Sequence, residues 1–294
     1  MDRVLRNLAL TLLLSSPVHG DTGTADALIL AVPGFAEQMR IGEAGWALGG
    51  AAWAAAGNPS SMEPGFSASG GRWTFETSSA SAAAAIRPAE GLCAGGFFRY
   101  VGRGGLAGRD SSGVATGEYS WSSGSAGVAG SFPLPLGTRG GVSFGTVWEK
   151  IDDTSASGVI FSAGLSASPL ECLDAGLAVL NFGSAPSWDG VTKNLPTEVS
   201  AGSRWRTLPF LSVVAGAAGG FWTSSRFSLA VEPSIGGLSA SAGWTAVPGQ
   251  EHAGGFFGGL AWKFVNGSEY SAEFALRQVG DLSWPVSAGI SVEF

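Results

Sequence analysis

Charged side chains are scarce in this chain. Of its 294 residues, 16 are Lys or Arg and 23 are Asp or Glu, so only 13 % are charged and the net charge is −7, whereas soluble proteins average about 25 % charged residues. The acidic balance argues against a nucleic-acid partner, because phosphate binding needs clustered Lys and Arg. Disorder is also excluded, since it needs low hydrophobicity and 45 % of these residues are hydrophobic.

Histidine and cysteine are rare, which limits the chemistry open to the chain. A hydrolase triad needs a histidine or an equivalent base, yet the only histidines are His19, inside a predicted leader, and His252, beside the turn at Pro248-Gly249. Cys93 and Cys172 share no short metal-ligand spacing; after export they form either a disulfide or two separate thiols. We therefore predict no enzyme activity, no cofactor and no metal.

Two further motifs resemble sites only loosely. Residues 102–107 match part of a dinucleotide fingerprint, but Arg109 and Asp110 follow where a helix should begin, so we interpret this stretch as a flexible loop. Asp152-Asp153 lacks the spaced oxygen ligands that calcium requires, so it is predicted to be a solvated turn.

Long apolar runs are missing too, since no window after the leader reaches 18 uninterrupted apolar residues. Residues 1–20 carry Arg3 and Arg6, then the apolar stretch Leu8–Leu14, then small residues, which is the layout of a secretory signal peptide. The alternative, a membrane-anchoring helix, is disfavoured because about 20 apolar residues are needed to span a bilayer.

Glycine is abundant, at 47 residues, and from about residue 63 onward apolar residues recur with a period of two. The last segment places Val286, Ile290, Val292 and Phe294 on one face, with Ser, Gly and Glu on the other. Alternation of this kind is typical of half-buried strands. Turn signals such as Asn266-Gly267 separate the segments. The pattern predicts an antiparallel meander.

Two architectures could bury such strands, a water-soluble sandwich and a membrane barrel with its apolar face outward. The less apolar face here is mostly Ser, Gly and Ala, which suits a barrel lumen better than a solvated surface. We therefore predict an all-β, transmembrane antiparallel β-barrel over residues 63–294. Chain length allows 14 to 16 strands, and segmentation yields 14 or 15. The sparse charges of the less apolar face are the candidate lumen-facing residues: Arg99, Glu149, Arg204, Glu232, Lys263, Glu273 and Arg277.

The terminal Phe294 closes an alternating strand. This resembles the signal by which bacterial outer-membrane barrels are recognised for assembly, so Trp284, Val286, Ile290, Val292 and Phe294 are the candidate assembly-signal residues. The expected location is the bacterial cell outer membrane, and the expected partners are outer-membrane lipid and the barrel-assembly machinery.

Three short elements resemble one family in order along the chain. Gly49-Gly50-Ala51 followed by Gly57-Asn58-Pro59, then the sequence GLAVLNFG at Gly176–Gly183, and then Leu195-Pro196 are similar to elements of the PorV/PorQ-type relatives of the FadL long-chain fatty-acid transporters. The chain departs from that pattern with Gly57 where an aromatic residue is usual, and with Ser60-Ser61 where Ala-Gly is usual.

This resemblance implies a barrel of about 14 strands with an N-terminal hatch segment in the lumen. Residues 21–62 would form that hatch, with Gly49, Gly50, Asn58 and Pro59 as its signature. Small residues in this stretch allow close backbone packing inside a barrel. The alternative is that the stretch is a poorly ordered leader or the first strand itself.

The family resemblance implies that the barrel binds or passes hydrophobic small molecules. Small, uncharged inner positions agree with this, because open porins usually carry charged side chains along their pores. A second expectation is an accessory or shuttle subunit of a type IX-like protein secretion system, with secretion-system proteins as partners. A third is a structural surface barrel without transport.

Overall fold

The computed structural model describes residues 27–109, 112–188, 190–192, 194–220, 222–250, 253–280 and 283–294. The predicted signal peptide (residues 1–20), His19 and His252 lie outside the described residues. None of the described helices is long and apolar enough to cross a membrane.

Fourteen antiparallel strands close into one barrel, and a separate two-stranded hairpin lies in one of its connections. In chain order the strands are β1 (Gly65–Arg72), β2 (Ser78–Ala89), β3 (Leu92–Arg109), β4 (Ala115–Pro133), β5 (Thr138–Ile151), β6 (Thr154–Leu170), β7 (Leu173–Ser184), β8 (Ser187–Trp188), β9 (Val191–Thr192), β10 (Glu198–Leu208), β11 (Leu211–Gly220), β12 (Thr223–Ile235), β13 (Leu238–Ala246), β14 (Gly255–Asn266), β15 (Ser268–Arg277) and β16 (Val286–Glu293). Strands β8 and β9 form the separate hairpin.

The barrel closes where the first strand meets the last. β1 pairs with β16 from Gly65 opposite Glu293 to Arg72 opposite Val286. This closure removes the unpaired edges that a membrane cannot tolerate. The all-β barrel prediction is therefore confirmed, and of the two predicted strand counts 14 is the observed one.

Large apolar side chains point away from the lumen. In β12, Phe227, Leu229 and Val231 are exposed, while Ser228 and Ala230 between them are buried. The other strands show the same alternation, with Phe144, Phe161, Trp244 and Ile290 on the outer face. A water-soluble sandwich would bury these groups against one another, so the outward arrangement identifies the membrane-facing surface.

The interpretation of residues 102–107 as a loop is wrong. They belong to β3, which continues to Arg109 and pairs with β4 across an irregularity between Arg103 and Leu106. Gly105 has a φ of +66° there, a conformation that glycine adopts without strain. A β-bulge therefore carries the strand through the glycines.

The two ends of the barrel differ in their connections. Gly267 alone separates β14 from β15, with φ at +78°, so the predicted hairpin is confirmed. Phe294 lies at this same end, and the longest connection, between β7 and β10, lies at the other end. Short turns face the periplasm in outer-membrane barrels and longer loops face outward.

The candidate assembly-signal residues lie at and just before β16. Val286, Ile290 and Phe294 are exposed on the outer face, Trp284 is exposed ahead of the strand, and Val292 is half-buried. Their recognition by the assembly machinery stays a prediction. Cys93 and Cys172 are free thiols, so the disulfide alternative is wrong.

Leu229 tests the orientation of the barrel surface. It lies near the middle of β12 and faces outward. Leu229→Arg should destabilise the folded barrel by about 2–4 kcal/mol, because the charge enters the hydrocarbon layer. Urea unfolding in lipid vesicles measures this change. The control Ile235→Arg, at the end of the same strand, should cost at most about 1 kcal/mol. Equal losses in the two variants would contradict the assignment.

Candidate functional site in the barrel lumen

Residues 27–64, here called the hatch, fill the barrel lumen. The hatch contains helix α1 (Ala36–Arg40) and four 3-10 helices, at Leu28–Ala31, Gly42–Trp46, Ala52–Ala56 and Pro59–Ser61. These helices contact strands on every side of the barrel. The hatch is therefore a folded segment inside the lumen, as the family resemblance implied. It is neither a poorly ordered leader nor the first strand of the barrel.

The side chain of Asn58 connects two parts of the hatch and also binds the barrel wall. Its side chain is fully buried, and its Nδ2 donates to the carbonyl of Ala47 at 2.6 Å and to that of Leu165 on β6 at 3.2 Å. Its Oδ1 accepts from the backbone N–H and the hydroxyl of Ser60, at 3.1 and 2.7 Å. Pro59 begins the last 3-10 helix, where its missing N–H is tolerated. The predicted signature residues Asn58 and Pro59 thus form a polar anchor.

The two signature glycines are required by the packing and the backbone conformation of the hatch. At Gly49 an added Cβ would overlap the side chains of Ser61 and Ala54. Gly50 has a φ of +139°, which other residues rarely adopt. The Gly49-Gly50 pair therefore allows the hatch chain to turn tightly between two of its helices.

A row of wall glycines allows the hatch backbone to lie directly against the strands. At each of these five positions an added Cβ would crowd atoms of the hatch, four of them by direct overlap: Gly141, Gly164, Gly176, Gly202 and Gly216. The row crosses five neighbouring strands, β5, β6, β7, β10 and β11, with Gly176 opposite Gly202 and Gly202 opposite Gly216. Of these glycines, only Gly176 was named in the sequence analysis, as the first residue of the family-like element of β7.

Two ion-pair networks fasten the hatch to strands β10, β12 and β15. In the first, Glu232 accepts from Arg40 of the hatch at 2.7 Å and from Arg204 at 2.9 Å. In this network the predicted residues Arg204 and Glu232 meet. Both carboxylate oxygens of Glu232 are thereby paired, which burial of a charge requires.

The second network is centred on Glu43 of the hatch, whose side chain is completely buried. It pairs with Arg226 at 2.9 Å and with Arg277, and Arg226 also pairs with Glu198 at 2.8 Å. Burial alone would raise the pKa of Glu43, but the two guanidinium groups more than offset this and hold that pKa well below its ordinary value. Glu43 is therefore ionised, and it fixes the hatch electrostatically.

Four of the candidate lumen-facing residues lie outside these networks. Arg99 of β3 donates to the carbonyls of Ile29 and Val32 in the hatch. Lys263 pairs with Glu269 at 2.6 Å at the exposed short-turn end, and Glu273 accepts from Ser271 at 2.8 Å. Glu149 shares the inward register of the fully buried Val147. Sequence analysis missed Arg40, Glu43, Glu198 and Arg226. The inward-facing positions of Glu198 and Arg226 in their strands could have identified these two wall residues. No feature of the hatch sequence indicates the roles of Arg40 and Glu43.

The β3–β6 side of the lumen is mostly apolar, with Arg99 as a buried charge within it. Phe97, Val101, Val147 and Ile160 point inward from β3, β5 and β6 and pack in one buried cluster with hatch residues. The hatch side of that cluster is Ala27, Ile29, Leu30, Phe35, Ala51, Ala52, Trp53, Ala54, Ala55 and Met62. The lumen thus has a charged half, which also holds the small apolar cluster of Ile41, Val214 and Phe257, and a mostly apolar half.

The connection between β7 and β10 covers the apolar half at the long-loop end of the barrel. Asn181, within the family-like element of β7, has a φ of +58° and donates through Nδ2 to the carbonyl of Pro196 at 3.3 Å. Its own carbonyl accepts from the Thr197 hydroxyl at 2.9 Å. Ala185 and Leu195 of this connection are buried in the apolar cluster. Asn181 therefore bends the chain inward over the lumen.

No protein-family model matches the chain, and no curated protein matches it. Among solved structures, the CymD monoaromatic hydrocarbon channel superposes with a TM-score of 0.63 at 11 % identity, over 92 % of this chain and 99 % of that one. The toluene transporter TbuX of Ralstonia pickettii superposes with a TM-score of 0.58 at 14 % identity, over 87 % and 98 % of the two chains.

At these identities the likeness shows the fold. The chain is an outer-membrane β-barrel similar to transporters of small hydrophobic molecules. This agrees with the predicted fold, a membrane β-barrel of about 14 strands. Both names describe transport, not catalysis.

Glu43→Gln tests the electrostatic attachment of the hatch. The change leaves Arg226 and Arg277 buried opposite a neutral amide. This should destabilise the state in which the hatch is folded into the lumen by about 3 kcal/mol or more. Trypsin should then cleave faster after Arg40, which is 5 % exposed in the closed barrel. The control Glu76→Gln removes a surface pair with Arg103 and should leave the cleavage rate unchanged. Unchanged cleavage in Glu43→Gln would rule out the attachment.

Gly216→Ala tests the close approach of the hatch to the wall. The new methyl group would overlap the Ala44 backbone nitrogen, so the hatch must shift at a cost of about 1–3 kcal/mol. We expect increased ion leakage in planar bilayers. Gly130→Ala is the matched control, because the nearest atom to its methyl group would be 3.9 Å away. Leakage that is the same in both variants would refute the proposed contact.

Proposed function

We propose that this barrel passes small hydrophobic molecules across the outer membrane, along a route between the hatch and the apolar half of the lumen wall. The separation of the lumen into a charged half and an apolar half carries the proposal. Apolar molecules are stabilised by apolar surroundings. The side chains of Phe97, Val101, Val147 and Ile160 supply such surroundings from the barrel wall.

The two halves of the lumen would then have different tasks. The charged half holds the middle of the hatch in place through Arg40 and Glu43, both almost fully buried. In the apolar half, hatch residues such as Ile29 and Leu30 contact the wall without ion pairs. Among the described residues, the hatch ion pairs on this side are those of Glu63, at the end of the hatch, with Arg87 and Arg139. Residues 27–36 therefore form a part of the hatch that can move aside without breaking an ion pair in either network.

The fold shared with CymD and TbuX supports the same proposal. Their names describe a monoaromatic hydrocarbon channel and a toluene transporter, and by likeness we propose compact hydrocarbons as the substrate class. A secretion-system subunit of the PorV/PorQ type, or a structural barrel, would need no apolar route through its lumen. Transport is therefore favoured over these two alternatives.

A reversible lock on the hatch tests the transport function. At Gly289 of β16 an added Cβ would lie 3.3 Å from the Cβ of Ala36, close to the spacing of about 3.8 Å in a disulfide. The Ser69 hydroxyl would overlap this Cβ and must rotate away. The double variant Ala36→Cys with Gly289→Cys should therefore form a bond when oxidised. We expect toluene uptake into proteoliposomes to fall when the bond forms and to return when it is reduced.

Each single variant, Ala36→Cys or Gly289→Cys, is the matched control, and its uptake should not respond to the oxidant. Wild-type proteoliposomes should take up toluene faster than protein-free vesicles. Uptake equal to that of protein-free vesicles would contradict transport itself. Uptake that persists in the oxidised double variant would contradict a route past the hatch.

A further inference from the structure

Arg99 lies in the mostly apolar half of the lumen and binds the backbone of the hatch. It points inward from the middle of β3 and is 2 % exposed. Its Nη2 donates to the carbonyl of Ile29 at 2.7 Å and to that of Val32. Within the described part of the chain, no carboxylate forms an ion pair with it, whereas Arg40 and Arg226 are both ion-paired. Arg99 therefore holds the hatch through neutral carbonyl groups.

Both carbonyls belong to residues 27–36, which take no part in the two ion-pair networks. Among the described residues, the other hydrogen bond from the wall to this segment is made by Ser69, whose hydroxyl accepts from the backbone N–H of Ala36 at 3.1 Å. Apolar side chains of the segment, such as Ile29, pack in the buried cluster described above. Arg99 thus supplies the one charged contact between the wall and a segment that is otherwise held by a hydroxyl and by apolar packing.

The segment lies directly against the guanidinium group. At Gly34 an added Cβ would be 2.7 Å from Nε of Arg99 and 3.1 Å from the Ser81 hydroxyl of β2. A glycine therefore allows the backbone to come this close, and a methyl group at the same position would push the segment away from Arg99.

Arg99 also contacts a part of the hatch that ion pairs hold in place. Its guanidinium carbon lies 5.7 Å from the centre of the Trp46 ring, which is within the range of a cation–π interaction. Trp46 ends the 3-10 helix that carries Glu43, the centre of the second network. The charge of Arg99 would therefore keep a favourable contact when the two carbonyls leave it.

We propose that Arg99 is a releasable latch, a positioning residue that holds residues 27–36 in the closed lumen and sets how often the route opens. The inference rests on the proposed function, because the same segment would move aside when a hydrocarbon passes. A hydrocarbon can replace the apolar contacts of Ile29, but it cannot accept hydrogen bonds from a guanidinium group. Opening therefore has to release Arg99. An ion pair to a buried carboxylate at this place would be harder to break.

Labelling of a cysteine placed in the segment measures how often it opens. Ala27 is completely buried, so the thiol that Ala27→Cys introduces should react with a water-soluble methanethiosulfonate reagent only when the segment moves. The full-length protein is labelled in proteoliposomes, and mass mapping of its peptides locates the label. Native Cys93, buried at the start of β3, is the internal control, because it should react slowly in every folded variant.

Variants of the latch should increase this labelling rate. In the Ala27→Cys background, Arg99→Met should raise the rate by about 10- to 100-fold, because hydrogen bonds to a charged group are lost and both carbonyls remain buried without a donor. Arg99→Lys should raise it less, since the ammonium group can still donate to a carbonyl but lacks the planar fork. Gly34→Ala should also raise the rate, because its methyl group pushes the segment off Arg99.

Two variants serve as matched controls. Ser69→Ala removes a neutral hydrogen bond to the same segment and should raise the rate by less than about 10-fold. Arg109→Gln, on the exposed end of β3, removes an arginine outside the lumen and should leave the rate unchanged. Heat-modifiable gel migration verifies that each variant is a folded barrel. If Arg99→Met does not fold, Arg99→Lys and Gly34→Ala decide the result.

Labelling at the background rate in the decisive variants would overturn the latch, as would a Ser69→Ala variant that is labelled as fast as Arg99→Met. The Arg99→Met barrel should also take up toluene faster than the wild type. Equal uptake despite faster labelling would overturn control of the route by the latch.

Failure of the transport function gives a different result. Faster labelling in Arg99→Met, with toluene uptake no greater than that of protein-free vesicles, would support the latch and contradict transport. Toluene uptake by the wild type with labelling that Arg99→Met does not change would contradict the latch and support transport. The two failures are therefore distinguishable.

Discussion

The pairing of β1 with β16 is the contact on which the rest of this structure depends. At membrane depth every backbone N–H and carbonyl must be paired within the protein, and only a closed barrel achieves this with strands. Closure decides which face of each strand meets lipid and which meets the lumen. Leu229 and Ile290 can point outward only because Ser228 and Gly289 point inward beside them.

Closure of the barrel also encloses a wide lumen, which the hatch occupies. A 14-strand ring leaves an interior that side chains as small as Gly, Ser and Ala cannot fill. The hatch fills that space, and the wall glycines bring its backbone within contact of the strands. Most charged side chains that remain inside are ion-paired. Glu43 of the hatch balances Arg226, Arg277 and Glu198 of the wall, and Arg40 adds a second cation to the Arg204–Glu232 pair. Arg99 is the exception, because the neutral carbonyls of Ile29 and Val32 and the ring of Trp46 surround its charge instead of a carboxylate.

Much of the fold could be predicted from particular residues. The alternation of Val286, Ile290 and Phe294 with small residues predicts a strand with one lipid-facing side, and Asn266-Gly267 predicts its neighbouring hairpin. The glycines of residues 102–107 misled the prediction, because glycine signals a loop and a β-bulge alike. Pairing with β4 decided between the two. In the site, Arg204 and Glu232 were predicted by their register, but their common partner Arg40 was not.

The sequence by itself determined the architecture of this protein: a period of two, few charges and many small residues allow hardly any arrangement except an outer-membrane barrel. Those signals are local, because each depends on residues two positions apart. Only the tertiary structure decided the interior, where Glu43 meets Arg226 and Arg277 across 183 and 234 residues of chain. Such contacts depend on how the hatch folds back into the ring, and no short-range pattern records that path. The division of the lumen into charged and apolar halves, and with it the proposed function, follows from this folding back.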